Sequence, residues 1–152
     1  MNAPVSRSVV VESGHYGRLV VARLKPGEDL VEALEQLCAS HAIARAVVRS
    51  ALGSLVQAQL AHGGGDAQQS LVVRGPGVEI LNVFGEVASD GCTQTSISGM
   101  VADTQGRMYA GDFVRGANRS FITIEVTLQE WVVETRSEAV LAAHARRCSS
   151  AI

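Results

Sequence analysis

Cysteine is scarce in this chain of 152 residues. The three cysteines, Cys38, Cys92 and Cys148, lie more than 50 residues apart, and no Cys-x-x-Cys pair occurs. The four histidines are equally scattered. An odd, dispersed set of cysteines is unlike the disulfide framework of a small secreted domain. The sequence therefore predicts neither a disulfide scaffold nor a compact metal-binding motif.

Aromatic residues and excess positive charge are also scarce. The chain has six aromatic residues, 13 Lys and Arg, and 15 Asp and Glu, which gives a net charge of −2. Single-strand binders need aromatic platforms, and general nucleic-acid binding depends on a basic surplus. The composition does not support either, and basic residues are concentrated only at Arg45/Arg49 and Arg146/Arg147.

Long hydrophobic runs are absent. None approaches the roughly 20 apolar residues that a membrane helix requires, and residues 1–8 do not resemble a signal peptide. We therefore expect a cytoplasmic protein. Hydrophobic residues make up 47% of the chain and charged residues 18%, an ordinary globular balance that excludes disorder of the whole chain.

The first regular pattern is a strand followed by a helix. Residues 18–24 are rich in Leu and Val, and Pro26-Gly27 ends that strand. Acidic residues then occupy a first helical turn, where the helix dipole favours negative charge. The spacing predicts one amphipathic helix over about residues 28–41, with an apolar stripe of Leu30, Leu34, Leu37 and His41 beside Ala33 and Cys38.

The rest of the chain reads as short strands separated by turns. Gly53-Ser54 is predicted to be a kink or turn, and Gly85 a bulge or a close approach of two backbones. In residues 120–130, Ile122 and the alternate residues after it are predicted to share one face. The expected strands are 43–52, 55–62, 69–73, 78–88, 93–102, 107–110 and 120–130. This pattern predicts an α+β protein with a mainly antiparallel sheet and one principal helix.

We divide the chain into an N-terminal segment (1–17), one domain (18–132) and a C-terminal tail (133–152). For the tail, a short surface helix and a frayed end are both open. The glycine run at 63–65 is interpreted as a hairpin loop, because no Lys-Ser/Thr and helix follow it as in a phosphate-binding loop.

Two arginines on one strand are the most suggestive charged residues. Arg45 and Arg49 are four apart, so both should emerge on one face with Val47 between them. Together they could bind a carboxylate or phosphate. The favoured alternative is that they pair with carboxylates on neighbouring strands or subunits, and the candidates are Glu79, Glu86 and Glu125.

Five short segments, taken in order, carry a family resemblance. They are Arg23–Leu30, Ser50–Leu55, Glu79–Leu81 with Gly85, Asp103–Gly106, and Gly111. Their order and spacing over residues 18–131 resemble the plants-and-prokaryotes conserved (PPC) domain family. The resemblance implies an α+β domain that assembles as a homotrimer. Plant members join the domain to an AT-hook that binds DNA, whereas stand-alone prokaryotic members are labelled as DNA-binding proteins.

This chain departs from the family at positions that build a metal cluster in many relatives. Ser98 stands where they have a histidine, and Ala110-Gly111-Asp112 replaces their Gly-Gly-His. Zinc sites use three or four nitrogen, sulfur or carboxylate ligands. We therefore expect no metal and no cofactor. If the hairpin pairs as in the family, Ser98 and Asp112 should approach each other and form one hydrogen bond.

The leading hypothesis is a non-enzymatic, oligomeric PPC-like domain with a regulatory or DNA-binding role. The alternative is a small-molecule binder or enzyme whose site lies between subunits and uses Arg45, Arg49, Ser98 and Asp112. One short helix cannot cover both faces of so large a sheet, so we expect a partner chain to bury the uncovered face.

Overall fold

The structure, a computed structural model, describes residues 11–63, 68–91 and 93–136. These residues form one eight-stranded antiparallel sheet, in the order β1-β8-β2-β5-β6-β7-β3-β4, and one helix. The elements are β1 (Glu12–Leu24), α1 (Leu30–Ser40), β2 (Arg45–Leu55), β3 (Ala58–His62), β4 (Gln69–Val73), β5 (Val78–Ala88), β6 (Ser96–Ala102), β7 (Met108–Phe113) and β8 (Ser120–Arg136). The predicted α+β class is confirmed.

Helix α1 begins at Leu30 because Asp29 caps it. Asp29 Oδ1 accepts hydrogen bonds from the backbone amides of Val31 and Glu32, each at 3.1 Å. The helix predicted over residues 28–41 is confirmed, with slightly shorter bounds. The placement of His41 on its apolar stripe is wrong: the helix ends at Ser40, and His41 is the exposed C-cap. The buried residues of the helix are Leu30, Val31, Leu34 and Cys38.

The core lies between α1 and one face of the sheet. Its largest fully buried side chains are Leu30, Leu34, Ile43, Leu55, Leu60, Ile124, Leu128, Val78, Val83, Val87, Val101 and Val126. We call the opposite side of the sheet the outer face. Large apolar side chains of the outer face are exposed, and they include Leu19, Val21, Leu52, Phe84, Met100 and Met108, at 41% to 72%.

Of the kink or turn predicted at Gly53-Ser54, the turn is wrong, whereas a kink agrees with the irregular pairing of β2 with β8 between Gly53 and Leu55. Strand β2 runs through these residues to Leu55, and the chain turns at residues 56–57. Gly53 has a φ of +144°, and a Cβ there would lie 2.3 Å from the carbonyl oxygen of Thr123. The glycine therefore serves the close packing of β2 against β8 rather than a chain reversal.

Several strands differ in length from the prediction. β1 begins at Glu12 and β8 continues to Arg136, because the two pair with each other from Glu12↔Arg136 to Leu24↔Ile124. In contrast, β3, β6 and β7 begin later than expected, at Ala58, Ser96 and Met108. The predicted bounds of β4 and β5 are confirmed. The tail helix considered above falls mainly on residues 137–152, which lie outside the described residues and include Arg146 and Arg147. Cys92, Gly64 and Gly65 also lie outside them.

The alternation predicted for β8 is confirmed except at Ile122. Ile124, Val126 and Leu128 are buried, but Ile122 is 63% exposed. β1 ends opposite Ile124, and the pairing of β2 with β8 is irregular between Gly53 and Leu55. Ile122 therefore has no regularly paired residue on β1 or on β2. Within the part of the chain that the structure describes, no helix is long and apolar enough to cross a membrane.

Candidate functional site

Ser98 and Asp112 come together as the hairpin pairing predicts. They face each other across β6 and β7, and the Ser98 hydroxyl donates a hydrogen bond to Asp112 Oδ1. Phe84 of β5 lies opposite Ser98 on the other side. The pair therefore lies on the outer face, beside an exposed aromatic ring.

The residues around this pair do not fit a zinc site. His62 lies close, since a Cβ on Gly111 would be 3.0 Å from His62 Cε1. However, a hydroxyl bonded to a carboxylate leaves one good ligand where zinc needs three or four. Among residues 11–63, 68–91 and 93–136, no three His, Cys, Asp or Glu side chains could together hold a metal ion. The absence of a bound metal stays a prediction.

A cleft of about 560 Å³ borders Asp112. It separates α1 from the ends of β6 and β7, and Arg115 lies in it. The Arg115 guanidinium is already held by Glu35, at 2.9 Å, and by Glu32, at 3.1 Å. The arginine therefore stabilises the contact between α1 and the segment after β7, and its charge is balanced locally.

Arg45 and Arg49 do share the outer face of β2, with Val47 between them. Arg45 is the more buried of the two, with a side chain only 15% exposed. Its guanidinium bonds Glu86 on the neighbouring strand β5 and Glu12 at the start of β1. Pairing with Glu86 was among the expected interactions, whereas the Glu12 contact was not.

Arg49 contacts an aromatic ring. Its guanidinium carbon lies 5.6 Å from the centroid of the Tyr16 ring. Tyr16 in turn contacts Trp131 edge to face, with ring centroids 5.7 Å apart. Trp131 Nε1 donates a 2.8 Å hydrogen bond to Glu12 Oε1. A continuous chain of contacts therefore joins Arg49 to Arg45. We define the β1–β8 cluster as Arg49, Tyr16, Trp131, Glu12, Arg45 and Glu86.

The other two candidate carboxylates lie away from this cluster. Glu125 pairs with Arg23 across β1 and β8. Glu79 lies opposite Ser54 of β2 and Ala102 of β6. Sequence reasoning missed Tyr16 and Trp131. Trp131 directly follows the predicted β8 segment, so extending that strand by one residue was the available signal.

Two titratable groups near the end of α1 have strongly altered acidity. Hydrogen bonds from Arg18 lower the pKa of Glu130 to about 2. Burial raises the pKa of the Cys38 thiol to about 11, and the negative charge of Glu130 adds to this effect. Cys38 is fully buried, so the thiol stays protonated at neutral pH and is not an activated nucleophile.

The sequence profile of the Plants and Prokaryotes Conserved (PCC) domain matches residues 11–132. That match covers most of the chain, and the eight-stranded sheet with its single described helix agrees with the solved PPC fold. The chain therefore belongs to this family, as the resemblance predicted.

Solved structures support the same fold at low sequence identity. A PPC protein from Pyrococcus horikoshii has 16% identity and a TM-score of 0.69, with 84% of this chain and 87% of that chain covered. A metal-containing protein from Archaeoglobus fulgidus has 20% identity and a TM-score of 0.67, with 82% and 87% covered. A candidate DNA-binding protein from Ralstonia eutropha has 18% identity and a TM-score of 0.61, with 74% and 76% covered. A search of curated proteins gives no match.

Proposed function

We propose that the chain works as a non-enzymatic, oligomeric binding domain with a regulatory role, assembled as a homotrimer in the cytoplasm. The exposed apolar outer face supports the assembly. The exposed apolar side chains named above come from β1, β2, β5, β6 and β7, so they extend across the sheet rather than standing singly. Exposed apolar patches of this kind mark interaction surfaces. The number three comes from the family.

Charges on the outer face suit contact with another protein chain. Arg23 is paired with Glu125, and Arg45 is held by Glu12 and Glu86. These ion pairs balance Arg23 and Arg45 within one chain, so a second chain can cover these two arginines without leaving either guanidinium unpaired. The ring of Phe84 and the side chain of Leu52 are then available as apolar contacts.

The experiment places a charge on the outer face and measures the mass of the assembly. Leu52→Glu and Phe84→Glu, made separately, should each lower the particle mass toward a single chain of 16.0 kDa, because a buried unpaired carboxylate is costly. Val56→Glu is the matched control. Val56 is 43% exposed but lies in the connection between β2 and β3, outside the sheet.

Native mass spectrometry distinguishes the outcomes. Dissociation by both outer-face variants, with the Val56→Glu protein assembled like the unmodified chain, supports the proposal. The proposal fails if both outer-face variants keep the mass of the unmodified chain, or if Val56→Glu dissociates it equally. Circular dichroism verifies that each variant is folded.

A ligand site between subunits is the second candidate function. The hydrogen-bonded pair of Ser98 and Asp112 favours it, because this polar pair lies on the same outer face as Phe84. In an assembly that buries this face, the pair would line the contact between chains. The same native spectra test this candidate, since a retained small molecule adds a defined mass that Asp112→Asn removes.

A further inference from the structure

Arg49 is an exposed cation on the face that the proposed assembly covers. Its guanidinium carbon lies 5.6 Å from the centroid of the Tyr16 ring. No carboxylate of residues 11–63, 68–91 and 93–136 forms an ion pair with it. A guanidinium carries five N–H donors, so a contact with one ring leaves donors free for hydrogen bonds. Arg49 can therefore bind a carboxylate that a second chain supplies.

Asp112 is an exposed carboxylate on the same face. Its Oδ1 accepts the hydrogen bond from the Ser98 hydroxyl. Within the part of the chain that the structure describes, no Lys, Arg or His forms an ion pair with Asp112. The Ser98 hydroxyl therefore orients this carboxylate without neutralising it, and Oδ2 has capacity for a further donor.

The two charges lie at opposite ends of one row of residues across the sheet. The register of β2 with β5 sets Arg49 level with Phe84. Phe84 lies opposite Ser98 on β6, and Ser98 lies opposite Asp112 on β7. Three strand spacings of about 4.8 Å separate the backbones of Arg49 and Asp112 by roughly 14 Å. That separation is too large for the two side chains to pair within one chain.

The positions of the two charges suit a ring of identical chains. In the strand order, β2 is third from one edge and β7 is third from the other, so Arg49 and Asp112 are equally far from the middle of the sheet. A ring whose symmetry axis runs along the strands packs the β7 half of one outer face against the β2 half of the next, and residues of one row stay at one height. Head-to-tail contacts of this kind close a cyclic assembly.

Covering either charge without a counter-ion would be unfavourable, because a buried ion loses its hydration. We propose that Arg49 of each chain forms an ion pair with Asp112 of the partner subunit, so that the partner copy completes the Ser98–Asp112 site. This inference rests on the proposed oligomeric function, and it names the polar contact that fixes how the outer faces meet. Complementary charges across an interface set its register and exclude wrong arrangements.

Glu79 is the competing carboxylate on this face. It is exposed, but it lies near the start of β5, opposite Ser54 and Ala102, and so outside the row that joins Arg49 to Asp112. A ring built along the strands therefore brings Arg49 to Asp112 and leaves Glu79 at a different height.

Charge reversal and rescue test the pair in the full chain. Arg49→Glu and Asp112→Arg each place like charges in the contact. Each should raise the protein concentration at which half the chains are assembled about tenfold. The double variant Arg49→Glu/Asp112→Arg exchanges the two charges and should return that concentration to within about twofold of the unmodified value. Sedimentation velocity over a dilution series measures these concentrations.

The matched control is the double variant Arg49→Glu/Glu79→Arg. It has the same net charge as the rescued variant but restores no charge at position 112, so it should assemble as weakly as Arg49→Glu alone. Both residues of the proposed pair are exposed in the single chain, and circular dichroism verifies that each variant is folded.

Smaller substitutions give an independent test. Arg49→Ala and Asp112→Asn should each raise the assembly concentration about threefold. Their combination should raise it no further than either change alone, because one ion pair can be removed only once. Additive losses would show that the two residues act separately and would overturn the proposal.

The remaining outcomes separate this proposal from the proposed function. Rescue by Asp112→Arg and not by Glu79→Arg supports the pair. Rescue by Glu79→Arg, a double reversal that stays dissociated, or single reversals that assemble like the unmodified chain overturn it. If the unmodified chain assembles and Leu52→Glu dissociates it, such results overturn the pair alone. An unmodified particle of 16.0 kDa overturns the proposed function together with the pair.

Discussion

At the scale of single residues, Arg18 joins three parts of the molecule. From β1 it donates to Glu130 of β8 through Nε, at 2.9 Å, and through Nη2, at 3.0 Å. It also donates to the carbonyl oxygens of His41 and Ala42, just beyond the end of α1. One guanidinium therefore joins β1 to β8 and provides donors for two backbone carbonyls that follow the helix.

The Glu130 carboxylate should make the stability of the fold depend on pH in the acid range. Its pKa is about 2 in the folded protein, against an ordinary value of 4.5. A carboxylate with a lowered pKa stabilises the fold above the unfolded value, and this contribution is lost as pH falls through the folded value. Glu130→Gln should therefore show a weaker loss of stability than the unmodified chain between pH 4.5 and about 2, measured by urea unfolding.

The control for this acid dependence is Glu79→Gln, which changes an exposed carboxylate on β5. It should keep the slope of the unmodified protein. Parallel curves for Glu130→Gln and the unmodified chain would show that Arg18 does not hold this carboxylate.

The Ser98–Asp112 pair gives a prediction about metal. With one carboxylate and one hydroxyl in place of imidazoles, the site should not retain zinc. The protein should purify without stoichiometric transition metal, and a chelator should leave its Tm unchanged. Ser98→His/Asp112→His should raise the zinc content, because imidazole is the commoner donor. Elemental analysis showing about one zinc per unmodified chain would contradict this prediction.

At the scale of elements, two glycines let neighbouring strands approach so closely that a side chain would not fit. A Cβ on Gly53 would lie 2.3 Å from the Thr123 oxygen, and one on Gly85 would lie 2.1 Å from the Ser96 oxygen. Both glycines have positive φ, at +144° and +138°. The close approach predicted for Gly85 is confirmed, and Gly53 serves the neighbouring strand pair in the same way.

Gly53→Ala should destabilise the protein strongly. It combines the backbone strain of a positive φ, roughly 1–3 kcal/mol, with a clash against β8 that requires the strands to separate. Gly106→Ala is the matched control, because Gly106 has a φ of +78° but open space around it. In thermal unfolding, Gly53→Ala should lower Tm by clearly more than Gly106→Ala. Equal decreases in Tm would mean that β2 and β8 accommodate the added Cβ without a further loss of stability.

The sequence predicted local features better than paired ones. The single helix, the buried alternation of Ile124 to Leu128 and the bounds of β5 depend on nearby residues, and they were predicted correctly. The extra length of β1 and β8 depends on pairing between residues more than 100 positions apart. No local pattern in either segment specifies that pairing.

The candidate site shows the same difference between local features and features that depend on strand pairing. The approach of Ser98 and Asp112 followed from a single hairpin and was predicted. The contact between Tyr16 and Trp131 required the register of the first and last strands, so it was missed. Arg45 and Arg49 share a face as predicted. However, Glu12, in the part of β1 that was not predicted, forms an ion pair with Arg45.

At the scale of the whole molecule, the charge distribution predicts weak binding to DNA. The chain carries a net charge of −2, and Arg45 is neutralised by neighbouring carboxylates. Phosphate neutralisation supplies most non-specific affinity. Fluorescence anisotropy with a random duplex at about 150 mM salt should therefore show no sub-micromolar binding. A sub-micromolar Kd under these conditions would contradict the charge argument.

The outer face links the fold to the proposed function, because the one helix of the described residues covers only one side of the eight-stranded sheet. Exposed residues such as Leu52 and Phe84 lie on the other side, which no described helix covers. A partner chain can bury these side chains, whereas an isolated chain leaves them in water. The oligomeric state is therefore the property on which the proposal of a trimeric binding domain depends.

The most direct test is the mass of the unmodified full-length chain in solution, measured by light scattering at micromolar concentration. A homotrimer predicts a particle of about 48 kDa, three times the chain mass of 16.0 kDa, whose mass stays constant on dilution within that range. A particle of 16 kDa would contradict the account, because the apolar outer face would then be exposed in the protein as it exists in solution.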